Sequence, residues 1–175
     1  MAFKMGVSKE SLSIKILPAG IYDLRLESFK PARPAATKKP DFQGPYSPEK
    51  HGVNFNPRFV VVNSTDEFNG TSIFVALSSK FARAIEDFSH GLGLPLEEQG
   101  SNLQLPGNFE GDENDPESAK YVGPLLGRIC KAFVEPQTFQ GRTSNTIRYY
   151  ICAVTDCASG GKVKHSTALN KQSQP

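Results

Sequence analysis

The sequence predicts a mainly β fold with five strands, one helix between the third and fourth, and long loops. Three observations point there. Apolar and polar residues alternate at period two in several short runs, one run has helical spacing, and Gly 15 and Pro 13 punctuate the 175 residues. Such punctuation favours short strands over long helices. The length suits one domain with its own core. With no Trp, that core must rest on Phe, Leu, Ile and Val.

Residues 1–15 are polar and read as a flexible N-terminus. The first strand lies in LPAGIYDLRLESFK, where Tyr22, Leu24 and Leu26 alternate with Asp23, Arg25 and Glu27 behind a turn at Pro18 and Gly20. That is the period of a half-buried strand, and the same count puts Arg25 and Phe29 outward. Lys30 to Gly52 is rich in Pro and Lys and has no apolar period. A loop this long in a small domain is either functional or disordered. NFNPRFVVVN gives the second strand, with Phe55, Phe59 and Val61 on one parity and Asn56 and Arg58 on the outward one. Pro57 marks an edge or a bulge there.

Asn69-Gly70, a pair suited to a hairpin turn, leads to a third strand over Thr71–Leu77. SSKFARAIEDFSHGLGL is the helix. Phe81, Ala84, Ile85 and Phe88 recur at helical spacing, Ser78 or Ser79 can cap it, and Gly91 or Gly93 ends it. Residues 97–120 read as an exposed acidic loop centred on Glu110–Glu117. Leu126–Val134 and Thr146–Val154 are the fourth and fifth strands, and 156–175 reads as a disordered tail rich in Gly, Ser and Lys. Five strands with a helix between the third and fourth is the order of an OB-fold barrel. Residues 16–155 then form one OB-like domain with a basic insertion at 30–52 and an acidic loop at 97–120. Another small α+β sheet is also compatible with these elements.

Motifs argue against catalysis. There is no GxSxG elbow, P-loop, HExxH, or GxGxxG between a strand and a helix. HGLGLP ends a helix, so its glycines are a C-cap signal. The carboxylates around Asp112–Asp115 lack an EF-hand pattern and read as a solvated loop. Cys130, Cys152 and Cys157 contain no CxxC pair and lie far from His51, His90 and His165, so reduced thiols fit better than structural zinc. MAFKMGVSKE has no apolar leader, and no run reaches the length of a membrane span. The expectation is a soluble cytoplasmic protein with no cofactor and no metal.

The net charge of +2 says little, but its distribution says more. Residues 1–60 carry 10 Lys+Arg against 5 Asp+Glu, residues 61–120 carry 3 against 11, and residues 121–175 carry 7 against 2. Separate charge blocks can place one sign on one face. Single strands of nucleic acid are held by a basic groove and by aromatic rings on which bases stack. In an OB barrel the groove crosses strands two and three between the first-second and fourth-fifth loops. Here those loops are KPARPAATKKPDFQGPYSPEKHG and EPQTFQGRTSN, both basic and both aromatic-bearing.

Lys30, Arg33, Lys38 and Lys39 are therefore candidate phosphate contacts, with Phe42, Tyr46 and Phe139 as stacking rings and Arg142 beside the last. Arg25 and Arg58 join them from outward strand positions. With Ile147, Tyr149 and Ile151 counted inward, Arg148 and Tyr150 share the outer face of the fifth strand. Phe55, Phe59, Phe74, Phe81 and Phe88 read as core.

LPAGIYDLRLESFK, NFNPRFVVVN, NGTSIFVALSSKFARAIEDFSHGLGL and LLGRICKAFVEPQTFQGRTSNTIRYYI together resemble phage-encoded single-stranded-DNA-binding proteins of OB-fold type, over about residues 16–154. The shared features are the PAGxY opening, the helix after the third strand, and a closing hairpin turn with Phe139, Gly141 and Arg142. The resemblance implies a non-enzymatic protein that binds single-stranded DNA, largely without sequence preference, in phage replication or recombination. It implies replication or recombination proteins as further partners, the cytoplasm of an infected cell as location, and leaves monomer and homodimer open. One departure is the tail: many such proteins end in an acidic tail, whereas this chain ends NKQSQP. Partner recruitment is then absent, or Glu110–Glu117 takes that part. The alternatives are a protein-interaction module, as in a phage structural or host-takeover protein, and a metal-dependent nuclease using the acidic cluster.

Overall fold

The structure, a computed structural model, describes residues 15–152 and 163–165. The chain is mainly β. Its principal strands are β1 (Gly20–Ala32), β2 (Asn54–Val62), β3 (Ser72–Phe74), β4 (Leu77–Ser78), β9 (Ile129–Phe139), β10 (Arg142–Cys152) and β11 (Val163–His165). They form one sheet in the order β11-β10-β9-β1-β2-β3, with β4 also on β2. All pairings are antiparallel except β10 with β11. The helices are α1 (Pro48–His51) and α2 (Ala82–Gly91). The expectations for 1–14 and for most of 156–175 lie outside the described residues.

Several expected boundaries move. Residues 97–120 are not a bare loop: they fold into β5 (Glu97–Gln99) paired with β6 (Asn102–Gln104), and β7 (Asn108–Glu110) paired with β8 (Lys120–Val122). The expected third strand breaks at Val75 and Ala76 into β3 and β4. The expected closing loop 135–145 is mostly strand, because β9 and β10 continue to a two-residue turn at Gln140 (φ 49) and Gly141 (φ 75). A positive-φ pair is what a tight hairpin turn demands. Neither Ser78 nor Ser79 caps α2. Phe81 is the N-cap, while Ser79 Oγ accepts the Val53 amide at 2.9 Å.

Two β-bulges overturn the strand parity count. One, between Leu26 and Ser28 on β1, turns Phe29 inward. The other, between Ile147 and Tyr149 on β10, turns Tyr150 inward. A bulge sets two residues against one and reverses the side-chain alternation beyond it. Phe29 (3% exposed) becomes the hub of an aromatic cluster with Phe55, Phe88, Phe109 and Tyr121, at centroid distances of 5.2–5.5 Å. Phe109 and Tyr121 come from β7 and β8, so the acidic region is anchored in the core. Tyr150 packs against Phe59 and beneath α2, where an added Cβ at Gly91 would meet its ring carbon Cγ at 2.5 Å.

The core beneath this sheet includes Leu24, Leu26, Phe59, Val61, Ile73, Phe88, Ala132, Val134 and Ile147. Its seam is open. Among the described residues β3 is hydrogen-bonded to β2 and not to β10, so the sheet is not closed into a barrel. A cavity of about 180 Å³ lies at that seam, lined by Phe74, Leu77, Ala84, Ile147 and Tyr150 among others.

Candidate nucleic-acid interface

The strand register separates the two basic loops. β1 begins at Gly20 opposite Val134 and ends at Ala32 opposite Asn54. Residues 33–53 therefore leave one end of β1, and the β9–β10 hairpin tip projects past the other. A 13-residue strand is about 40 Å long when straight. The twelve residues singled out in the sequence thus fall into three places.

The first is the 33–53 segment, which folds on itself. The Arg33 guanidinium lies 4.8 Å over the Tyr46 ring and donates to the Thr37 carbonyl at 2.7 Å. Tyr46 stacks on His51 at 5.9 Å and donates to the Gly52 carbonyl at 2.8 Å, and Phe42 meets His51 edge-on at 5.1 Å. Half-buried in this small cluster, Phe42 and Tyr46 are structural first, and burial raises the Tyr46 hydroxyl pKa. Lys38 is ion-paired with Glu117, and the Arg33 amide also donates to that carboxylate at 3.3 Å. The Lys38 hydrogen bond is the main cause holding Glu117 below its ordinary pKa. Lys39 stays exposed, with no ion-pair partner among the described residues.

The second place is the hairpin tip. Phe139 is 72% exposed and Arg142 stands opposite it across the turn. Lower on the hairpin, Arg148 lies 3.1 Å from Glu135, so its charge is matched. Tyr150, expected beside it, is 3% exposed and belongs to the core, and burial lifts its hydroxyl pKa well above the usual value.

The third place is the outer face of β1, β2 and β3. Ser28, Arg58 and Phe74 form one cross-strand row, Ser28 opposite Arg58 and Arg58 opposite Phe74. Lys30 stands one outward position along, opposite Asn56, exposed and without an ion-pair partner among the described residues. Arg25 lies further along the same strand, tied to Glu27 at 2.5 Å. The Arg58 guanidinium is steadied by Ser72 Oγ at 3.2 Å.

Phe74, expected in the core, is 68% exposed. Strand alternation within β3 leaves it outward: Ile73 fills the core, and Phe74 takes the opposite parity beside Arg58. Alternation in SIF carried that signal, but a hydrophobic run read as wholly buried concealed it. Phe81, also expected in the core, is 68% exposed at the start of α2.

Among the described residues no three His, Cys, Asp or Glu side chains are grouped to hold a metal ion, and no helix is long and apolar enough to cross a membrane. Cys130 is buried between β1 and β10, which pushes its thiol pKa up to about 12. No protein-family model matches the chain, and no curated protein matches it.

Proposed function

We propose that the chain is an OB-like binding module in which β1–β2–β3, β9 and β10 stand for the five OB strands and α2 for the helix between the third and fourth. The strand order supports this, with the β3–β10 seam left open. Its ligand in this reading is single-stranded DNA, bound largely without sequence preference and without catalysis, in phage replication or recombination as the sequence resemblance implies.

One observation carries the reading: Phe74, a large ring 68% exposed on the outer sheet face, is the cross-strand partner of Arg58, whose guanidinium is held by Ser72 Oγ on the same strand as Phe74. A core has no use for it there, whereas base stacking beside a cation does; each stacked base contributes about 1–3 kcal/mol. Lys30 adds a phosphate contact on the same face. Phe139 and Arg142, at the far hairpin tip, form a second contact for a longer strand.

The test is fluorescence anisotropy with labelled oligo-dT across salt. Binding in the micromolar range or tighter, weakening as salt rises, supports the proposal. Absence of binding at micromolar protein, or affinity indifferent to salt, refutes it.

A further inference from the structure

The Phe74–Arg58–Ser28 row does not stop at β1. β9 pairs with β1 only over Gly20–Arg25. Past the bulge, the edge of β1 faces the β7–β8 region instead, and a cavity of about 370 Å³ opens between them. Its lining includes Ser28 and Lys30 from β1, Lys120 from β8, and the buried Phe29 and Tyr121. The volume lies within the range of about 300–1,000 Å³ usual for small-ligand sites.

The charges decide what it would accept. Two carboxylates also line it, but each is engaged: Glu27 by Arg25 at 2.5 Å and Glu117 by Lys38. Lys30 and Lys120 have no ion-pair partner among the described residues, although Glu110 stands opposite Lys120 across β7 and β8, so the cavity keeps two ammonium groups open to an anion. That arrangement suits the phosphates of a passing strand.

We propose that this cavity is a phosphate subsite continuing the strand's path off β1, with Lys30 and Lys120 on the strand's phosphates. The proposal rests on the single-stranded-DNA reading and adds Lys120, which no sequence pattern singles out, to the binding residues.

Lys120→Gln and Lys30→Gln, both at exposed positions, are compared with wild type by oligo-dT anisotropy between about 50 and 200 mM salt. Each neutralised phosphate contact should lower the slope of log K against log salt by about 0.7, with weaker binding at low salt. The double variant should lose about twice that slope. If Lys120→Gln binds with wild-type affinity and slope while Phe74→Ala weakens binding, the subsite is wrong and the wider reading stands. If wild type fails to bind oligo-dT at all, both fall.

Discussion

Gly91→Ala tests the packing that the β10 bulge creates. Gly91 is the last residue of α2, and a Cβ there would lie 2.5 Å from Cγ and 2.7 Å from Cβ and Cδ1 of Tyr150. Favourable carbon contacts fall at about 3.5–4.0 Å, so ring or helix must move by about 1 Å. Tyr150 is 3% exposed and backed by Phe59 at 6.4 Å, so it has little room to yield.

Overpacking of this kind costs about 1–3 kcal/mol, against a helix-propensity gain of about 1 kcal/mol for Ala over Gly. A contact this short against a ring with little room to yield puts the cost in the upper part of that range, about 2–3 kcal/mol, so the net expectation is a loss of about 1–2 kcal/mol, or a fall in Tm of about 2–8 °C for a chain of this size. Urea and thermal unfolding followed by circular dichroism read this directly. In a Tyr150→Ala background the cost should shrink, because Cγ and Cδ1 are gone. A Gly91→Ala protein as stable as wild type, or more so, would show that Tyr150 does not lie under α2. The outward parity of Tyr150 would then be restored, and with it Tyr150 as an interface residue.

Three further outcomes follow from the same packing. Phe29→Ala should cost about 3–5 kcal/mol in urea unfolding, whereas Phe81→Ala, 68% exposed, should change stability by less than about 0.5 kcal/mol; comparable losses would contradict the burial pattern. Glu117→Gln removes the carboxylate that engages Lys38, so oligo-dT binding should tighten if the 33–53 segment touches the strand. Because the Glu117 pKa is lowered in the fold, its contribution is present above the unfolded carboxyl pKa and is lost as pH falls through the folded value, so Lys38 should also be released in acid. Cys130 has the opposite sign. With its folded pKa raised to about 12, the unfolded chain ionises first, so stability should decline from about pH 9 toward 12, and a Cys152→Ser/Cys157→Ser chain should resist thiol reagents until it unfolds.

The broad architecture was legible because it rests on period. Alternation marked β1, β2 and the inner parts of β9 and β10, and the 3.6-residue recurrence around Ala84 and Phe88 marked α2. The faces were less legible. A bulge is a register event between two strands, and neither LRLESF nor TIRYYI announces one locally, so strand parity alone puts Phe29 and Tyr150 on the wrong side. Burial by remote partners was equally hidden. Phe109 and Tyr121 sit in an acidic stretch whose composition suggests solvent, yet both pack on Phe29 across the chain. Of the candidate contacts, Arg58 and Lys30 share a face because adjacent strands carry them at matching outward positions. Phe42 and Tyr46 instead found partners inside their own loop through His51, a contact that spacing alone does not reveal.

The most direct test of the binding face is the oligo-dT affinity of Phe74→Ala against wild type, read by anisotropy at fixed low salt with unfolding curves on both proteins. Loss of one stacked base predicts a Kd raised about 5- to 150-fold, with the unfolding midpoint nearly unchanged because the ring is mostly exposed. An unchanged Kd at equal stability would contradict the claim that the Phe74–Arg58 face carries the strand.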